Sequence, residues 1–140
     1  MALPPYLTLE IVTPDRSVVH EQIDEVEIPG ADGYFGVLPG HTPMLAMLQV
    51  GQVWYRKKQE KFYLSIAFGF AEVLPDRVTI LAQIAERADE IDVARAEAAR
   101  QRAQERLSKP APDMDFERVR IAMMKSLIRL QVASKARTRV

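Results

Sequence analysis

The chain contains no cysteine, and only one tryptophan and two histidines stand among its 140 residues. Without cysteine it can build neither a disulfide framework nor a thiolate nucleophile. Histidines at 20 and 41, with no cysteine nearby, make a weak metal signal, so no metal site is expected. Long hydrophobic runs are missing too, since none approaches the roughly 18 apolar residues that span a bilayer. An excess of one charge is absent, 19 Lys and Arg being balanced by 19 Asp and Glu. That balance argues against the uniformly basic surface of a nucleic-acid binder. The start, Met1-Ala2-Leu3-Pro4-Pro5, lacks the positive region and apolar segment of a secretory signal. The protein is therefore expected to begin near Met1 and to stay on the side where it is made.

What is present is ordinary in total and uneven in distribution. With 48% apolar and 27% charged residues the composition is that of a soluble globular protein, and the length suits one compact domain with an appendage. Residues 1–88 carry 7 Lys and Arg against 11 Asp and Glu, a balance of −4, whereas residues 89–140 carry 12 against 8, a balance of +4. The local pattern changes at Ile91-Asp92, the same region.

Up to that point the chain alternates. Leu7, Leu9 and Ile11 recur with a period of two before the Thr13-Pro14-Asp15 turn, and similar runs follow at Val18-Val19, Val26 to Ile28, Phe35 to Leu38, Val53 to Arg56, Phe62 to Ile66, Phe70 to Leu74 and Val78 to Gln83. Short strands at this spacing predict an antiparallel β-sandwich or barrel. Gly30-Ala31-Asp32-Gly33 reads as a hairpin turn, because no helix or Lys follows as a phosphate loop requires. Leu38-Pro39-Gly40-His41-Thr42-Pro43 is a second turn. Ser65, His41 and Asp32 compose an imaginable hydrolytic triad, although no nucleophile elbow accompanies Ser65.

Beyond Ile91 the period becomes helical. Asp92 is placed to cap a helix whose stripe is Ala96, Ala99, Ala103 and Leu107, and Lys109-Pro110-Ala111-Pro112 ends it. Asp113 or Asp115 then caps a second helix with an expected apolar face of Phe116, Val119, Met123, Leu127 and Leu130, accompanied by Ile121, Met124, Ile128 and Val132. The expectation is β + α: a sandwich followed by an antiparallel two-helix hairpin. Two such helices bury too little to stand alone, so the hairpin must lean on the sheet or on a partner. Arg95, Arg102 and Arg106 repeat at seven and four on the first helix, as do Arg118, Lys125 and Arg129 on the second. Folding brings these rows together beside Asp92 and Glu86, which suits an anion. A solvated charged face would show the same pattern, and a basic helix can also lie on nucleic acid or on a membrane. The second helix has Phe116 but neither Trp nor Tyr, which weakens the membrane reading.

Glu27-Ile28-Pro29-Gly30, Gly33-Tyr34-Phe35-Gly36-Val37-Leu38-Pro39-Gly40-His41-Thr42-Pro43, Ala85-Glu86 and Ile91-Asp92-Val93-Ala94-Arg95-Ala96, in this order, closely resemble the epsilon subunit family of bacterial F-type ATP synthases. The likeness runs over nearly the whole chain, including Lys125 to Val132. It implies a non-catalytic central-stalk subunit of a proton-translocating synthase, held peripherally at the cytoplasmic face of the cell membrane through the complex. Residues 1–88 would be the sandwich that binds the gamma subunit and the c-ring, and residues 89–140 the regulatory hairpin. In such families the hairpin extends toward the alpha and beta subunits of the catalytic head and inhibits ATP hydrolysis. The resemblance places Ala31, Asp32, Gly33 and Tyr34 at the c-ring, with Tyr34 where the family often has an acidic residue. It also implies that ATP, as a regulatory ligand and not a required cofactor, holds the hairpin folded. The matching motif residues are Ile91, Asp92, Arg95 and Ala96, and ungapped continuation adds Glu86, Arg102, Lys125 and Arg129, with Lys125 in place of the usual Arg. A purely structural coupling subunit without ATP sensing is the alternative.

Overall fold

The structure, a computed structural model, describes residues 2–137. Met1, where the chain is expected to start, and the last three residues of the 89–140 region lie outside the described residues. Eight strands precede two helices: β1 Leu7–Val12, β2 Ser17–Ile23, β3 Glu25–Gly30, β4 Gly33–Val37, β5 Met44–Leu48, β6 Gly51–Lys57, β7 Glu60–Leu74, β8 Arg77–Arg87, α1 Val93–Ser108 and α2 Phe116–Arg137. The strands follow the order β2-β1-β8-β7-β5-β3-β4, with β6 pairing to both β3 and β7. Alternation determines the inward face: Leu7, Leu9 and Ile11 are fully buried, while the residues between them are only partly so.

Three departures from the sequence reading have physical causes. First, β1 and β8 pair in parallel, whereas every other pair is antiparallel. A parallel pair needs a long crossover, and here all the intervening strands supply it. Second, Phe62 to Ile66 and Phe70 to Leu74 are halves of one strand, β7. Its first half pairs with β6 and its second with β5. Phe68 (φ 59°) and Gly69 (φ 132°) stand where it changes partner, and this irregularity reads as a turn in sequence. Third, β5 is Met44-Leu45-Ala46-Met47-Leu48, an apolar run without β-branched residues or alternation, so periodicity misses it. Folding of the sheet into layers brings together strands that do not pair: the buried Tyr55 on β6 donates to Glu21 Oε2 on β2 at 2.6 Å. Burial pushes the Glu21 carboxyl upward, but hydrogen bonds from Lys57 and Tyr55 and the charges of Lys57 and Arg87 leave it below the usual range.

The hairpin is antiparallel and lies against the sheet. Asp92 caps α1 by accepting from the Arg95 backbone N–H at 3.0 Å, and Asp115 does the same for Arg118 at 3.1 Å. Asp115, of the two candidates, is therefore the cap. The buried face of α2 includes Val119 and Val132 of the expected apolar set but leaves out several of its large residues. Val119, Ser126, Val132 and Ala133 are buried, whereas Phe116 is 56% and Leu127 48% exposed. From Ile121 to Leu130 the helix is apolar on several sides, so large residues do not mark the packed side. The alanines of α1 do, because Ala96 and Ala103 admit close approach. Ile91, Val132 and Ala133 form a second small core with Tyr63 and Ile128.

A 3-10 turn, Ala88–Glu90, joins the two parts. Arg16, in the β1–β2 turn, donates to both Glu90 carboxylate oxygens at 2.8 and 3.0 Å. The Arg16 hydrogen bond is the main reason that the Glu90 carboxyl lies below its ordinary range. A carboxyl lowered on folding stabilises the fold above its unfolded pKa and loses that contribution as pH falls through the folded pKa. Glu90→Gln is therefore expected to lower stability near neutral pH and to change it little at the acid end, which flattens the acid limb of the curve, as urea unfolding between pH 3 and pH 7 would read. An acid limb as steep as the native one would contradict the assignment.

Candidate functional site

Where the hairpin crosses the sheet, a cleft of about 390 Å³ opens between β7, β8 and both helices. Its charged lining is Glu86 from the end of β8, Arg95 and Arg102 from α1, and Lys125 and Arg129 from α2. Helical geometry makes this possible: residues seven and four apart share one face, and the antiparallel turn aims the two faces at each other. Ser65, Ile66, Ala67 and Ile84 supply the sheet side of the lining, and Ala99 and Ala122 keep the seam open.

The charges are only partly answered within the protein. Arg129 Nε donates to Glu86 Oε1 at 2.7 Å and its Nη2 to Oε2 at 3.2 Å, with both side chains mostly buried. This two-pronged contact also ties α2 to the sheet. Lys125 Nζ lies 5.7 Å from the centre of the Phe68 ring, a modest cation–π attraction. The side chains of Arg95 and Arg102 have no ion-pair partner among the described residues. Four cations thus face one carboxylate, and the cleft has an excess of about three positive charges. Such a site suits an anion with several charges, and arginine forks match phosphate oxygens.

The remaining sequence candidates do not line this cleft. Ile91 is in the small core, the carboxylate of Asp92 is occupied as the helix cap, and Ala96 is fully buried in the helix packing. Asp92 meets Arg95 through the Arg95 backbone N–H, not through its guanidinium. Sequence reasoning missed Ser65, Ser126 and Ala122 as lining residues; Ala99 was legible, as part of the small stripe. Ser65 and His41 line different depressions, and His41 Nδ1 sits 2.7 Å from the carbonyl of its neighbour Thr42. The triad is therefore not assembled. His20 lies 3.2 Å from Glu10, and the described residues contain no cluster able to hold a metal ion.

A second surface lies at the β3–β4 turn. Ala31, Asp32, Gly33 and Tyr34 are all exposed there, but the Tyr34 hydroxyl folds back to accept from the Gln52 backbone N–H at 3.1 Å. Asp32 is the charge that the turn presents outward. A third surface is the outer row Met47, Phe70 and Leu81, register neighbours on β5, β7 and β8 with exposures of 67%, 41% and 42%. No helix of the described residues is long and apolar enough to cross a membrane.

Residues 6–88 match the family model of the ATP synthase delta/epsilon chain β-sandwich domain, and residues 89–134 match that of its long α-helix domain. An ATP synthase epsilon chain from Syntrophobacter fumaroxidans is 50% identical over 92% of this chain and 96% of its own length. Epsilon chain 2 of Syntrophotalea carbinolica is 46% identical over 92% and 94%. Among solved structures, a chain of the Euglena gracilis mitochondrial ATP synthase, described as OSCP/F1/c-ring in rotational state 1, has the same fold. It aligns with a TM-score of 0.71 at 21% identity, covering 99% of this chain and 83% of that one.

Proposed function

Because the chain belongs to the delta/epsilon family of ATP synthase chains, we propose that it couples rotation in the central stalk and restrains ATP hydrolysis through a hairpin that ATP holds folded. The role is that of an epsilon subunit, which is non-catalytic. Residues 1–88 serve as the binding part and residues 89–140 as the regulatory part. The outer row Met47, Phe70 and Leu81 seats the gamma subunit, since an exposed apolar row of this kind favours a protein partner. The β3–β4 turn meets the polar loops of the c-ring, with Asp32 supplying the charge. The hairpin, when extended, meets the alpha and beta subunits. The protein reaches the cytoplasmic face of the membrane only through the complex.

The observation that carries the ATP reading is the cluster of cations in a cleft that the folded hairpin alone completes. Bound ATP, with about four negative charges, neutralises Arg95, Arg102, Lys125 and Arg129 and bridges α1 to α2. A ligand at 100 times its dissociation constant stabilises the bound state by about 2.7 kcal/mol, enough to choose between nearly balanced hairpin positions. Isothermal titration of the full chain with ATP tests this. Arg95→Ala or Arg102→Ala is expected to weaken binding about tenfold, as loss of one charge-assisted contact does. No heat at millimolar ATP, or affinity unchanged in both variants, would leave a purely structural coupling subunit.

A further inference from the structure

The arginines of the hairpin sort by position. Arg100 and Arg120 line neither seam cleft, and each pairs with a carboxylate three residues earlier on its own helix, Glu97 and Glu117. Of those facing the seam, Arg129 pairs across to Glu86 on the sheet, whereas Arg95, Arg102, Arg106 and Arg118 have no ion-pair partner among the described residues. Two of them, Arg106 and Arg118, lie beyond the cleft described above. They line a second opening of about 700 Å³ toward the hairpin tip, together with Lys109. Both openings are bordered by Ala99, Arg102 and Ala122, so they are consecutive reaches of one trough. Small side chains keep the seam from closing between them. Arg106 stands one helical turn past Arg102, about 6 Å along the axis, a gap that one or two further phosphate groups bridge. Asp113 and Asp115 line the tip end, where their charge halts the favourable run.

We infer that the trough binds linear oligophosphates longer than a triphosphate, with Arg106 and Arg118 gripping the phosphates that extend past Arg102. The shared chemistry is a chain of phosphates, whether free or carrying a nucleoside at its inner end. The inference rests on the proposed ATP site only for that inner end. An unpaired guanidinium on each side of the trough gives each added phosphate a planar fork, and the Asp pair limits the chain to a few added units.

Titration calorimetry of the full chain with ATP, adenosine 5′-tetraphosphate and short linear inorganic polyphosphate tests it. The tetraphosphate is expected to bind about tenfold more tightly than ATP, and the gain should shrink as salt is raised. The double variant Arg106→Gln with Arg118→Gln should lose that gain and keep ATP affinity within about twofold. Both residues are exposed, so the variant should keep the native circular dichroism. If ATP binds and added phosphates gain nothing, or if the double variant weakens ATP equally, the inference fails and the ATP reading stands. If ATP gives no heat while polyphosphate binds and is lost in the double variant, the inference stands and the ATP reading falls. No binding of any of the three overturns both.

Discussion

Gly69→Ala is expected to lower the stability of the sheet by about 3–5 kcal/mol, its added methyl group making the closest approach found at any of the glycines. Gly69 has φ 132°, and an added Cβ would stand 1.9 Å from the Leu81 carbonyl oxygen and 2.8 Å from the Ala82 Cα. Both obstacles are backbone of β8, the strand that pairs with β7 along nearly its whole length. Neither can turn aside as a side chain would. Opening that ladder disturbs the point where β7 passes from β6 to β5 and the layers are joined. Urea unfolding followed by the single tryptophan, Trp54 on β6, gives the free energy, and the melting temperature should fall by roughly 10–20 °C. A loss below about 1 kcal/mol would show that the strand rearranges there at little cost.

The same position shows what the sequence could and could not tell. Period-two alternation marks the inner face of β1, because side chains there alternate between core and outside. It breaks at Ala67-Phe68-Gly69, where the strand has two successive partners on one edge, and a corner inside a strand looks like a turn between strands. Pairing direction is also invisible to periodicity, which is why the parallel contact of β1 with β8 was not anticipated. In the hairpin the caps and the breaker are local chemistry, and Asp92 and the Lys109-Pro110-Ala111-Pro112 stop are readable from neighbouring residues alone. The packed face of α2 depends on what lies opposite. Ser126 and Ala133 are buried on α2 beside Val119 and Val132, and no count of large residues would choose those two. The basic lining of the cleft was legible because charge repeats at seven and four on both helices, whereas Ser65 and Ser126 enter only through the docking of three elements.

Val132→Asp should free the hairpin without unfolding the sheet. Val132 is fully buried against Ile91, Ala133 and their neighbours, and an unpaired carboxylate there costs several kcal/mol, about 3–5 in a protein interior that can relax. The docking core is small, so undocking is the cheaper escape. A released helix pair of this length is marginal in water. Helical circular dichroism should therefore drop, while the urea midpoint reported by Trp54 stays near the native value. ATP binding should disappear, because Arg129 leaves Glu86 and the cations no longer converge. Leu127→Asp is the control: that side chain is 48% exposed, and its effect should stay within about 0.5 kcal/mol. A Trp54 midpoint that falls in step with the helical signal would show that sheet and hairpin unfold as one unit, and the proposal of two separable parts would be lost.

The contact of Arg16 with Glu90 has a mechanical consequence. It fastens the connecting turn to the sheet up to Glu90, so a hairpin that moved as proposed would swivel first at Ile91-Asp92, once Ile91 left its small core. The 16 residues of α1 then act as a lever arm of about 24 Å. A swing of about 30° at that fulcrum carries the far end through about 12 Å. Glu86, Arg95 and Arg129 grip close to the fulcrum, where travel is small, and the tip receives the multiplied motion. If ATP binds as proposed, a shift of about 1 Å in how it seats near the pivot would become a displacement of several ångströms at Lys109 to Asp115.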